Sequence, residues 1–371
     1  MEIIYGFIIV IKMRVLLSYL LYPITILYSI WVYFRNMFYD FGWLNSKKHN
    51  VTTIGVGNLK VGGTGKTPHV EYLISILSEN YSVAVLSRGY GRKTKGFRLL
   101  DLEKDTAITV GDEPLQMKQK YPNIIFAVCE DRNKGIETLE KQIKGLEIVI
   151  LDDCFQHRAL SLDLSILLTE YSKPFFDDRI LPFGLLREQK NGYKRADYIL
   201  ITKSPLNHTL GDRVSFESKL KPKKYQKVFF SHIDYKDIYS LWEKEITAKI
   251  EDNTVILLTG IADNTQMVEY ISEKTNIIEK IEYPDHYNFS NKDIDKIISI
   301  YETKKQSNTI IITTEKDSMR LKDFEILKQL PVFVLPIGLT ITSSTMKSAS
   351  FKEIIIDDVR QNKSYNRVYK S

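Results

Sequence analysis

The sequence predicts an α/β fold, with two domains built on helix-covered sheets and an apolar helical segment ahead of them. Three observations carry this expectation. From Val15 to Phe34 no charged residue occurs. After Asn50, short apolar runs alternate with amphipathic stretches, the pattern of strands followed by helices that pack on the sheet faces. At the first such junction lies Gly62-Gly63-Thr64-Gly65-Lys66-Thr67, between the apolar run Val51 to Val56 and the amphipathic run His69 to Leu77. A length of 371 residues exceeds what one core usually spans, and 43% apolar residues suffice to fill two.

The N-terminal segment, residues 1–50, reads as membrane-associated. At about 1.5 Å per residue the Val15 to Phe34 run is long enough to cross a hydrocarbon layer of roughly 30 Å. Pro23 interrupts it, Tyr19, Tyr22, Tyr28, Trp31 and Tyr33 lie within it, and Lys12, Arg14 and Arg35 flank it. These features fit a helix lying in the headgroup region as well as one that spans. The run is long for a cleaved signal peptide and no small-residue cleavage site follows it. Met13-Arg14 ahead of the run also makes a complete start, so translation from Met13 is expected.

From residue 51 to 215 the expected strands are Thr52 to Val56, Val83 to Ser87, Ile124 to Val128, Ile148 to Asp152, Leu164 to Thr169 and Tyr198 to Thr202. Helices are expected over Thr67 to Glu79, Glu113 to Lys120 and Arg132 to Lys144. Residues 216–228 are dense in lysine and carry Pro222, which reads as a basic connector or a solvated face. Residues 229–371 make the smaller α/β domain, with strands at Val255 to Thr259, Thr309 to Thr313 and Val332 to Pro336, and a polar tail after Asp357 expected to fray.

Composition narrows the partners. A balance of 52 basic against 46 acidic residues leaves a net charge of +6. That is too mild and dispersed to call for nucleic acid, and nothing in the sequence calls for a protein partner. Anionic membrane or a phosphorylated substrate fits it. Cys129 and Cys154 are the two cysteines and lack the spacing of a metal or disulfide framework, so both are expected as buried thiols in a reducing compartment.

The chemistry concentrates at strand ends. A glycine-rich turn opening a helix gathers backbone N–H groups into an anion cradle, Lys66 can reach terminal phosphates, and the Thr67 hydroxyl is placed to ligate Mg²⁺. The expected nucleotide contacts are Lys60, Val61, Gly62, Gly63, Thr64, Gly65, Lys66 and Thr67. The loop is atypical, because Lys60 stands where the usual pattern has glycine. Asp152-Asp153 closes an apolar strand, as expected of the second motif that holds Mg²⁺ or its water. Together these define a P-loop NTPase-like domain that binds ATP. Guanine selection is disfavoured, because Pro205 follows Thr202-Lys203-Ser204 where a carboxylate is needed. Taken singly, Gly111-Asp112-Glu113-Pro114 reads as helix capping, Arg187-Glu188 as a surface ion pair and Asp285-His286-Tyr287 as a cap beside a satisfied histidine.

Taken in order they carry a resemblance. Asn58 with Gly62-Gly63-Thr64-Gly65-Lys66-Thr67-Pro68, Ser87-Arg88-Gly89-Tyr90-Gly91, Gly111-Asp112-Glu113-Pro114, Leu151-Asp152-Asp153-Cys154-Phe155-Gln156-His157, Leu185-Leu186-Arg187-Glu188, Tyr283-Pro284-Asp285-His286-Tyr287 and Thr314-Glu315-Lys316-Asp317 closely resemble the tetraacyldisaccharide 4′-kinase family over nearly the whole chain. The resemblance implies transfer of the ATP γ-phosphoryl group to the 4′-hydroxyl of a tetraacylated glucosamine disaccharide 1-phosphate in lipid A biosynthesis. It implies work at the cytoplasmic face of the inner membrane, with the N-terminal segment as anchor and the active site in a cleft between two α/β domains. It assigns Asp112 as the base, in a dyad with His286. Metal ligation is expected from Thr67, Asp153, Gln156 and Glu188 with Asp152 nearby. Arg88, Arg132 and Arg187 are candidates for phosphate contacts, and Tyr90 and His157 for the sugar site. Cys154 departs from the glycine common in the family and puts the local turn in question. The alternative reading is a membrane-associated P-loop ATPase switch that recruits partners. A scaffold with a vestigial site leaves the intact lysine, threonine and acids unexplained.

Overall fold

The computed structural model describes residues 22–285, 287–343 and 349–369. They form two compact units: residues up to His232 together with those from Thr340 onward, and Ile233–Leu339. In the first unit, the strands are β1 (Thr52–Asn58), β2 (Val83–Ser87), β3 (Arg98–Leu99), β4 (Ile125–Val128), β5 (Ile148–Asp152), β6 (Leu164–Glu170), β7 (Tyr198–Thr202) and β8 (Lys227–Tyr235), joined at one edge by a late strand, β15 (Ile337–Ser343). Their order across the sheet is β15-β8-β7-β6-β1-β5-β2-β4-β3. Strands β1, β2 and β4 to β8 are parallel, and β3 is an antiparallel edge on β4.

Both faces of this sheet are covered, which is why its strands read as near-continuous apolar runs. The helices of this unit are α1 (22–40), α2 (Lys66–Leu77), α3 (Ala107–Val110), α4 (Asp112–Lys120), α5 (Arg132–Gln142), α6 (Leu210–Leu220) and α10 (Phe351–Tyr369). The pleat of β5 divides its side chains. Ile148 and Ile150 join Val70, Leu73, Ile74 and Leu77 of α2 in one core layer, while Val149 and Leu151 join Ile136 and Leu139 of α5 in the other. Helix α10 returns to the first layer through Phe351, Ile355 and Val359, spaced one turn apart and each fully buried. Each such burial stabilises by about 1.5–3 kcal/mol, and beyond Asp357, where fraying was expected, the helix continues to Tyr369 with Val359 in the core.

The expected connector at 216–228 is also corrected. Phe216 and Leu220 of α6 are buried in a core cluster with Leu167, Ile199 and Phe230, and β8 pairs with β7 from Lys227. Lys219, Lys221, Lys223, Lys224 and Lys227 are exposed, which is the solvated face rather than a linker. The boundary between units lies instead within β8 and β15, so the smaller unit is shorter than 229–371.

The second unit holds β9 (Ile238–Ser240), β10 (Thr247–Ala248), β11 (Thr254–Thr259), β12 (Ile277–Glu282), β13 (Thr309–Thr314) and β14 (Val332–Leu335), in the order β10-β9-β14-β13-β11-β12. Its helices are α7 (Thr265–Lys274), α8 (Asn291–Lys304) and α9 (Glu315–Leu321). Here Thr314-Glu315-Lys316-Asp317 makes a helix start. Thr314 Oγ1 accepts the Asp317 N–H at 3.0 Å, and the buried Asp317 carboxylate accepts the Gly260 N–H at 2.9 Å.

Candidate active site

In an open parallel sheet ligands bind beyond the carboxyl ends of the strands, where the order of connection reverses. Here β1 lies between β5 and β6, and Val56 is in register with Asp152. The chain leaving β1 and the chain leaving β5 therefore emerge side by side.

Leaving β1, the chain turns through Gly62 (φ 118°) and Gly65 (φ 84°), conformations in which a Cβ is strained, before α2 begins at Lys66. The loop is braced from within: the Asn58 side-chain amide donates to Thr64 Oγ1 at 2.7 Å, and the Thr64 N–H donates to the Gly62 carbonyl at 3.0 Å. Val61, Gly62 and Gly63 are exposed, while Lys66 and Thr67 are half-buried. The Lys60 amine is turned away from the loop. It pairs with Asp178 at 2.8 Å and donates to the Lys173 carbonyl at 3.0 Å, which explains how a lysine is tolerated where glycine is usual.

Leaving β5, Asp152 is 2% exposed and its Oδ1 has no hydrogen-bond partner. Burial, and then the nearby Glu113 charge, push its carboxyl up to about 7 against the pull of Lys66. Asp153 takes the left-handed conformation at φ 47° and accepts Arg187 Nη1 on both oxygens, at 2.8 and 2.9 Å. Lys66 Nζ lies 3.8 Å from the same carboxylate. The positive φ falls on Asp153 and not on Cys154, so the departure from glycine costs the turn nothing. Room for Cys154 comes from β1: a Cβ on Gly55 would stand 2.7 Å from Cys154 Sγ, and one on Gly57 2.7 Å from Phe155 Cβ. Burial pushes the Cys154 thiol up to about 12, and Cys129 is buried and free as well.

A short antiparallel bridge brings Leu185 to Glu188 to the loop. Val61 N–H donates to the Leu185 carbonyl and Arg187 N–H to the Leu59 carbonyl, each at 2.8 Å, around the pair Lys60 and Leu186. Arg187 and Glu188 are not each other's partners. Glu188, 2% exposed, accepts Arg195 Nη2 on both oxygens at 2.8 and 2.9 Å, Gln156 Nε2 at 3.1 Å and Asn36 Nδ2 at 2.9 Å. Gln156 Nε2 also donates to the Asn58 carbonyl at 2.8 Å. Gly192 leaves space here, since its Cβ would lie 2.8 Å from Glu188 Oε2.

Helix α1 docks on this ladder by its polar face. Tyr28 donates to the Arg187 carbonyl at 2.8 Å, Gln189 to the Ser29 carbonyl at 2.7 Å, and Arg35 to the Gln156 carbonyl at 2.7 Å. Together with Asn36, these positions repeat with the helical period. Most of the remaining apolar side chains of α1 are exposed, including Ile24 (54%), Leu27 (68%), Trp31 (61%) and Phe34 (47%), while Val32 is buried at 2%. Its amphipathicity is inverted relative to a helix in water. Among the described residues no helix is long and apolar enough to cross a membrane, and the first seven residues of the expected Val15 to Phe34 run lie outside them.

The remaining expected residues come from neighbouring loops. Arg88 and Tyr90 stand exposed after β2. Gly111 (φ 93°) lets the start of α4 approach them, because a Cβ there would meet the Tyr90 carbonyl at 2.9 Å. This places half-buried Asp112 in the first turn of α4, with Glu113 close enough for its charge to reach Asp152. Arg132 is buried and braces main chain, donating to the Cys129 carbonyl at 2.6 Å and the Asp152 carbonyl at 3.2 Å. His157 is held below its ordinary pKa by burial and by the Arg132 charge, and its Nε2 is buried without a partner. His286 lies outside the described residues. Sequence reasoning missed Arg195, Arg35 and Asn36, whose partners are far along the chain; the 28, 29, 35, 36 spacing on an otherwise apolar helix was the available signal.

Among the described residues no three His, Cys, Asp or Glu side chains form a ready-made metal cage. The buried, unpartnered Asp152 oxygen fits Mg²⁺ nonetheless, since that ion takes one or two carboxylates, with phosphate oxygens and waters completing its shell.

A parallel sheet that places a braced phosphate loop with its lysine beside paired strand-end acids defines a P-loop phosphotransferase. The family model described as tetraacyldisaccharide-1-P 4′-kinase matches residues 17–360. The chain is 40% identical to a tetraacyldisaccharide 4′-kinase of Bacteroides thetaiotaomicron over 92% of its own length and 93% of that protein's. It is 42% identical to one of Flavobacterium johnsoniae, over 88% and 93%. The crystal structure of LpxK from Aquifex aeolicus in complex with ATP superposes with a TM-score of 0.70 at 29% identity, covering 93% of this chain and 99% of that one. This chain belongs to the tetraacyldisaccharide 4′-kinase family.

Proposed function

We propose that this protein transfers the γ-phosphoryl group of ATP to the 4′-hydroxyl of a tetraacylated glucosamine disaccharide 1-phosphate, in lipid A biosynthesis. The observation that carries the reading is the convergence of Lys66 and Arg187 on Asp153, beside buried Asp152, at the mouth of the phosphate loop. With ATP present these two cations have a better anion to hold, and the site is already shaped for it.

A sugar hydroxyl is a weak nucleophile at neutral pH, so the site has to orient it, take its proton and balance charge on the transferring group. Asp112, in the first turn of α4, takes the proton. Lys66 and the amides of Val61 to Thr67 hold the phosphates, and Arg88, exposed, is free to follow the transferring group. Arg187 moves between Asp153 and phosphate, whereas Arg132 acts by fixing the main chain at Asp152. Tyr90 and His157 line the sugar side. Thr67, Asp152, Asp153, Gln156 and Glu188 are the residues that would hold Mg²⁺. Asp152 can turn to it directly, and Glu188 has to give up part of its Arg195 pairing. Bound there, the ion would offset charge on the phosphates.

The inverted helix α1 supports a seat on the bilayer, its apolar face among acyl chains and its polar face on the site, at the cytoplasmic surface of the inner membrane where ATP is available. Incubating the protein with γ-labelled ATP and the lipid disaccharide tests the whole reading. Label is expected on the acceptor. ATP consumption that leaves the acceptor unlabelled would identify a nucleotide switch instead.

A further inference from the structure

His69 lies in the first turn of α2, is 4% exposed, and takes no part in the chemistry above. Its Nδ1 is 2.7 Å from the Gly65 carbonyl oxygen and its Nε2 is 2.9 Å from Ser231 Oγ on β8. A carbonyl oxygen only accepts, so Nδ1 carries the hydrogen. Nε2 then presents its lone pair, and the Ser231 hydroxyl donates to it. The two hydrogen bonds, one on each ring nitrogen, thus fix both the tautomer and the orientation of the ring.

The Gly65 carbonyl would ordinarily be held by the His69 backbone N–H. Here that bond is long, 3.4 Å, and the side chain supplies the shorter one. The Gly65–Lys66 peptide is planar and trans, so its C=O and N–H point in opposite directions. Drawing the oxygen toward the ring aims the Lys66 N–H away from the helix and toward the phosphate loop. Ser231 keeps the ring from rotating, and its own carbonyl accepts the Ser204 N–H at 3.0 Å, which ties it to the turn after β7.

We infer that His69 is a positioning residue for nucleotide binding, which orients the Gly65–Lys66 peptide so that the Lys66 amide meets a phosphate oxygen. The inference rests on the reading of residues 60–67 as the ATP site.

Isothermal titration of ATP and Mg²⁺ into the purified full-length protein tests it without turnover. His69→Phe keeps the ring volume and removes both hydrogen bonds; its Kd for ATP should rise roughly three- to tenfold, the worth of one hydrogen bond. His69→Asn puts an amide N–H near the Nδ1 position and should restore affinity to within about twofold. His69→Gln reaches toward the Nε2 position and should leave the Kd raised. A wild-type protein that binds no ATP would refute the site itself. Wild-type affinity in His69→Phe, or equal affinities of the Asn and Gln variants, would overturn the positioning role while leaving the site intact. If His69→Phe does not fold, as judged by circular dichroism, the Asn and Gln comparison decides.

Discussion

Replacing Arg195 with methionine should unbalance the Glu188 cluster, and the size of the effect follows from its contacts. Glu188 is 2% exposed and accepts four hydrogen bonds, two from Arg195 and one each from Gln156 and Asn36. Arg195→Met retains much of the packing over the Phe155 ring, where the guanidinium lies 4.7 Å from the centroid, and removes only the charge and its donors. Stripping one partner from a buried ion pair costs about 3–5 kcal/mol. Gln156 and Asn36 still donate, so the lower end, about 3 kcal/mol, applies. For a unit of this size that is a fall in melting temperature of roughly 6–12 °C. Differential scanning fluorimetry reads it directly. Adding Glu188→Gln to the Arg195→Met background removes the stranded charge and should recover at least half of the loss. A melting temperature for Arg195→Met within about 2 °C of wild type, or no recovery in the double variant, would refute the view that Glu188 is anchored by this pair.

Further outcomes follow from other parts of the site. Asp112→Ala should lower kcat by roughly 10²–10⁴ in the label-transfer assay while leaving ATP affinity unchanged, and near-wild-type turnover would remove the base assignment. Leu27→Asp on the exposed face of α1 should weaken co-sedimentation with anionic lipid vesicles without altering the melting temperature; unchanged sedimentation would argue against the bilayer seat. The His69 imidazole falls from 6.5 to about 4 on folding, so the folded state keeps it neutral while the unfolded chain takes up a proton. Its stabilisation is complete above pH 6.5 and is lost as the pH falls toward 4, by roughly 3 kcal/mol. Urea unfolding of wild type and His69→Asn at pH 7 and pH 4 should show the wild type losing that much more, and parallel losses would contradict it.

The first sheet was largely legible because burial on both faces imposes continuous apolar runs. Val83 to Ser87, Ile148 to Asp152 and Tyr198 to Thr202 match β2, β5 and β7 end for end. Elements whose stability comes from distant partners were not legible. The apolar positions of α10 are diluted among charged ones, and only the core that receives Phe351, Ile355 and Val359 shows why it is a helix. The lysines of 216–228 suggested a linker because charge density was visible, whereas the buried Phe216 and Leu220 on the reverse face of α6 were not distinguishable by composition.

The site divides along the same line. Glycines and strand-end acids announce themselves, because backbone geometry and metal chemistry admit few substitutes at Gly65, Lys66, Asp152 or Asp153. The residues that aim them are interchangeable in principle and leave at most a faint trace, such as the 28, 29, 35, 36 spacing on α1. Arg187 and Glu188 are adjacent in sequence and suggested a pair, yet the bridge to Leu59 and Val61 sends their side chains to different partners, Asp153 and Arg195. Asn36 reaches Glu188 from a helix that the sequence marked only as apolar. That helix carries both a face suited to lipid and the hydrogen bonds that hold Gln156 and Glu188. On the bilayer seat proposed above, lipid contact would favour the same α1 placement that braces the acids, and a substrate delivered from lipid would meet the site where its ladder is held.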